Sequence, residues 1–65
     1  MNLRVIKEKV CSKDISVIRV EGNYNDYNPE DNVTINGRNA FILKVIKLDG
    51  FQFVDLEVRY LWKWI

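Results

Sequence analysis

The chain has 65 residues, with ten lysines and arginines against nine acids, one cysteine and no histidine. One domain of this size, residues 1–65, buries only about 60% of the surface its unfolded chain exposes, and Cys11 alone permits neither an intramolecular disulfide nor an ordinary Cys/His zinc site. Stability must then come from a filled core or from association, and a formal net charge of +1 argues against a dedicated nucleic-acid binder.

From the N-terminus, Leu3 to Val10 and Ile15 to Val20 read as two strands rich in valine and isoleucine, joined by Cys11-Ser12-Lys13-Asp14. Met1 to Lys9 alternates charged with apolar residues and holds no apolar run of the signal-peptide kind. No window approaches the roughly 20 apolar residues of a membrane span, so the expectation is a cytoplasmic protein without membrane contact. Charge is unevenly placed. Arg4, Lys7, Lys9, Lys13 and Arg19 outnumber Glu8 and Asp14 in the first 20 residues, whereas Glu21, Asp26, Glu30 and Asp31 make the next segment acidic. Within that segment, Asn28-Pro29-Glu30-Asp31 has the form of a capped single turn, which predicts a short 3₁₀ or turn-like excursion.

Asn32 to Trp64 contains two hairpin dipeptides, Asn36-Gly37 and Asp49-Gly50, between apolar runs, and therefore reads as a three-strand meander. A two-residue loop at Asp49-Gly50 would pair Leu43 with Leu56, Phe41 with Val58 and Lys44 with Asp55. One face would then carry Phe41, Leu43, Val45, Val54, Leu56 and Val58, and the other Ile42, Lys44, Ile46, Phe53, Asp55 and Glu57. Phe53, Leu56, Tyr60 and Trp64 also fall near helical spacing, but strict alternation from Val54 to Trp64 after an Asp-Gly turn favours a strand. Such a strand overruns its hairpin partner from Leu61 onward, and Leu3 to Val10 is the expected neighbour for the overhang. Five strands in 65 residues make an all-β fold, a small antiparallel barrel or an open sandwich.

Chemistry is sparse. Without histidine, nucleophilic catalysis would need a Lys, Asp or Glu base, and Cys11 reads as a small strand-end hydrophobe. The three glycines lie too far apart to cradle a phosphate, and the acidic loop lacks the spacing of a calcium-binding EF-hand. We expect no catalytic residue, no metal and no cofactor. Two groups of residues could meet a partner. Ile42, Ile46 and Phe53 exceed what one sheet face needs, and Trp62 and Trp64 end the chain beside a lysine. Tyr24, Tyr27, Trp62 and Trp64, with Arg4, Lys7, Lys9 and Lys63, could alternatively form the aromatic and basic surface of a single-strand nucleic-acid binder.

Val20-Glu21-Gly22, then Glu30-Asp31-Asn32-Val33-Thr34-Ile35-Asn36-Gly37-Arg38 and Phe41 to Ile46, resembles the second, β-barrel domain of translation GTPases. The family has glycine where Glu30 stands. The resemblance implies a barrel architecture and no function. The sequence thus predicts a non-enzymatic module that binds a protein partner or a second copy of itself, with single-strand nucleic-acid binding as the alternative.

Overall fold

A computed structural model describes residues 2–50 and 52–61. Six strands form one mixed sheet that curls into a half-barrel: β1 (Asn2–Leu3), β2 (Val5–Val10), β3 (Ile15–Glu21), β4 (Asn32–Ile35), β5 (Arg38–Lys47) and β6 (Phe53–Tyr60). Their order across the sheet is β1-β4-β5-β6-β3-β2. The fold is all-β as expected, but the count is six, because the strand expected from Leu3 to Val10 is interrupted at Arg4 and changes partner there. Its first part lies parallel to β4, with Asn2 beside Thr34 and Leu3 beside Ile35, and its second part runs antiparallel to β3. That one parallel pair also makes the sheet mixed rather than wholly antiparallel. Among the described residues no helix is long and apolar enough to cross a membrane.

The core lies inside the curl, and alternation puts it there. Ser16, Ile18 and Val20 of β3 and Val54, Leu56, Val58 and Tyr60 of β6 point inward, every second residue. On β5 the inward set is Ala40, Ile42 and, three residues on, Val45. A three-residue step breaks the period of two. The β5–β6 ladder accounts for it: Ala40, Phe41 and Ile42 pair with Tyr60, Arg59 and Val58, after which Lys44, Val45, Ile46 and Lys47 pair with Glu57, Leu56, Asp55 and Val54, so Leu43 is bulged out.

This ladder corrects the expected register. Leu56 meets Val45 instead of Leu43, Val58 meets Ile42 instead of Phe41, and Asp55 meets Ile46 instead of Lys44. The cause is the turn. A two-residue type I′ loop needs positive φ at both of its residues. Asn36 (52°) and Gly37 (80°) satisfy that, and their hairpin closes with Ile35 opposite Arg38. At the second turn Gly50 has φ 94°, Asp49 does not have positive φ, and the ladder closes farther back at Lys47 and Val54. A one-residue slip exchanges the faces of a strand, which is why Ile42 enters the core while Phe41 and Leu43 stay half-buried.

The loop between β3 and β4 holds the one 3₁₀ turn found among the described residues, Tyr24–Asp26, a few residues before its expected place. Asn23 caps it. Its Oδ1 accepts from the Asn25 amide at 3.1 Å, and Asp26 Oδ2 accepts from the Asn23 amide at 3.0 Å. Asn28-Pro29-Glu30-Asp31 follows as a tight turn with Glu30 at φ 74° and the Asp31 amide donating to the Asn28 carbonyl at 3.2 Å. Proline second and positive φ third is the type II arrangement.

Candidate interaction surface

β2 is bonded to β3 along one edge, with Lys7 opposite Arg19, Glu8 opposite Ile18, Lys9 opposite Val17 and Val10 opposite Ser16. Along its other edge no strand pairs with it among the described residues. The reason is the length of β4, which meets β1 at Thr34 and Ile35 and then turns away at Asn36-Gly37, so that among the described residues no second strand lies beside β2. In an antiparallel ladder the backbone groups that do not face the partner strand point the opposite way, so such an edge is a row of amides and carbonyls open to pairing. Two large apolar residues accompany it. Ile6, where the ladder shifts between Val5 and Lys7, is 52% exposed, and Val10 is 69% exposed.

Charge on the outer face near this edge is positive and incompletely compensated. Residues paired across strands share a face, which gives a row Lys7, Arg19, Asp55 and a second row Lys9, Val17, Glu57, Lys44. Arg19 is tied to Asp55 by two contacts, Nε to Oδ1 at 2.9 Å and Nη2 to Oδ2 at 3.3 Å, the bidentate geometry that guanidinium favours. That hydrogen bond first, and the carboxylate charge second, hold Arg19 more firmly protonated than usual. Arg19 and Arg59 supply the ion pairs found among the described residues, with Asp55 and Asp14; Lys7 and Lys9 enter neither. They line, with Val17, Arg19 and Asp55, a shallow concavity of about 220 Å³.

The inner face of β2 is anchored separately. Glu8 Oε2 accepts a hydrogen bond of 2.9 Å from the Tyr60 hydroxyl, and the Arg38 guanidinium lies 4.4 Å from the centre of the Tyr60 ring. Burial first, then the bond to Glu8 and its charge, raise the Tyr60 pKa, against opposing effects of Arg38 and Ser16.

The residues expected to meet a partner scatter. Ile42 is fully buried in the core, and Tyr27, 9% exposed, donates to the Glu21 carbonyl at 3.1 Å. Ile46 is half-buried. Tyr24 and Phe53 are exposed and line, with Lys47 and Leu48, a second concavity of about 210 Å³. Arg4, Lys7 and Lys9 are absent from that lining, so the structure does not join the tyrosines and the N-terminal basic residues into one stacking surface. Trp62, Lys63 and Trp64 lie outside the described residues, as does the overhang expected to pair with Leu3 to Val10 apart from its first residue, Leu61, whose amide donates to the Asn39 carbonyl of β5 at 2.8 Å; β6 as described runs between β5 and β3. In the acidic loop, Asp26 and Asp31 accept from the Asn23 and Asn28 amides, and no metal-holding group of three or more Cys, Asp or Glu occurs among the described residues.

The open edge of β2 was missed in the sequence because β1 and β2 read as one strand. A signal was present. Lys7-Glu8-Lys9 in succession puts charge on both faces of a strand, which a central strand does not tolerate and an edge strand uses. Compared with known proteins, the chain matches no family model, no curated protein sequence and no solved structure.

Proposed function

We propose that this chain is a non-enzymatic interaction module that binds a protein partner by strand addition at the free edge of β2. The observation that carries this reading is an edge of six residues, bonded on one side only among the described residues and carrying the exposed Ile6 and Val10. Main-chain bonds at such an edge give affinity, and alternate side chains give specificity. A site-specific photocrosslinker tests it. Placed at Ile6 or Val10 in living cells, the probe is expected to yield a protein adduct that a probe at Asn36 or Tyr24 does not. Adducts to nucleic acid, or equal adducts from all four positions, would overturn the reading.

A protein partner is preferred to a second copy. Where two copies of β2 related by a two-fold axis pair antiparallel with matching faces over most of Val5–Val10, Lys7 meets Lys9, Lys7 meets Lys7 or Lys9 meets Lys9, and like charges directly opposite are destabilising. Nucleic-acid binding is the weaker alternative, because the basic concavity contains Asp55 and no aromatic ring. We further propose that the module works in the reducing cytoplasm, in keeping with a free, exposed Cys11. The kinship with the translation-GTPase barrel domain stays a proposal about architecture, supported by positive φ at Glu30, where that family's glycine would sit without strain.

A further inference from the structure

We infer that the strand received by β2 carries carboxylates at alternate positions, i and i+2, facing Lys7 and Lys9, with an apolar residue on the opposite face next to the carboxylate that faces Lys9. The inference rests on the strand-addition reading and adds the chemistry of the occupant. Lys7 and Lys9 share the outer face, two residues apart, on the strand that ends the sheet among the described residues. On its β3 side Lys7 faces Arg19, a like charge whose own carboxylate partner, Asp55, lies one strand farther on. The row therefore runs Lys7, Arg19, Asp55, and an acid beyond Lys7 would give each outer cation of the row a carboxylate neighbour.

The same requirement holds one step along. Lys9 faces Val17 and has no ion-pair partner among the described residues. On the inner face the occupant meets Val10, 69% exposed, which an apolar side chain would cover. Glu8 shares that face but accepts from the Tyr60 hydroxyl, which turns part of its charge toward the core. The chain contains the complementary pattern once, within its own sheet: in β6, Asp55 and Glu57 point outward with the buried Leu56 between them. Asp55 meets Arg19 from that strand. An incoming strand of like pattern would meet Lys7 and Lys9 from the other side.

The test uses the full chain, isotopically labelled, titrated with three octapeptides in which valine alternates with glutamate, serine or lysine. The glutamate peptide is expected to shift the amides of Val5–Val10 and to bind about tenfold more tightly than the serine peptide, two cross-strand ion pairs being added. Lys7→Glu/Lys9→Glu, both changes on exposed side chains, should keep the β5–β6 amide pattern and transfer the preference to the lysine peptide. Equal binding of the glutamate and serine peptides at β2 would overturn the charge rule and leave strand addition standing. If no peptide moves the β2 amides, or oligothymidylate alone moves them, strand addition falls with it.

Discussion

At Gly22 the backbone takes φ 139°, and a Cβ built there would lie 3.1 Å from the Tyr27 hydroxyl and 3.2 Å from its Cε2. Tyr27 is held by its bond to the Glu21 carbonyl and by the core, so it cannot easily yield. Gly22→Ala is expected to cost about 1–3 kcal/mol, read from urea unfolding, by strain and overpacking together. Glu30 presents the opposite case, since it holds φ 74° without being glycine. Glu30→Gly should stabilise by about 0.5 kcal/mol, the left-handed strain relieved being partly offset by the greater freedom of glycine in the unfolded chain. Tyr60 and Tyr27 give a pH dependence. Burial raises both phenols above their usual 10.0, reinforced by Glu8 at the first and by Asp26 at the second. Their contribution to stability is therefore complete below pH 10 and is lost as pH rises through the raised values. Tyr60→Phe removes the bond to Glu8, should cost about 1 kcal/mol at neutral pH, and should flatten the alkaline limb of the stability curve.

Among the elements, the β4–β5 hairpin was fully legible because Asn36-Gly37 satisfies type I′ geometry on its own. The β5–β6 hairpin was legible in its partners and illegible in its register. Asp49-Gly50 carries the same local signal, yet Asp49 does not take positive φ, and the longer loop together with the bulge at Leu43 moves each pair. No local rule places that bulge; it follows from fitting Ile42 and Val45 to the same core. Lys44 tests this register. It lies opposite Glu57, so Lys44→Glu should cost about 0.2–1 kcal/mol, and Glu57→Lys added to it should recover most of the loss, whereas Asp55→Lys should not. Recovery by Asp55→Lys instead would favour the register read from the turn alone.

For the whole molecule, all-β architecture and the inward face of β6 could be read from alternation, since Val54, Leu56 and Val58 keep a strict period of two. The interaction surface could not, because it depends on where β4 stops relative to β2, a long-range fact that neither segment encodes. Lys7, Glu8 and Lys9 on that edge also bear on association. They disfavour pairing between two copies, so light scattering should give the mass of a monomer at high micromolar concentration; a concentration-dependent dimer abolished by Lys7→Ser/Lys9→Ser, and not by changes elsewhere, would show the edge serving self-association.

Amide hydrogen exchange of the free chain, residue by residue, addresses the central claim most directly. Alternate amides of Val5–Val10, those that point away from β3, should exchange as fast as open-edge groups while their neighbours and the β5–β6 ladder stay protected, and the glutamate-valine peptide should slow the fast set. Uniform protection along β2 in the free protein would mean that the edge is already paired, and would contradict the claim that it is the surface a partner strand joins.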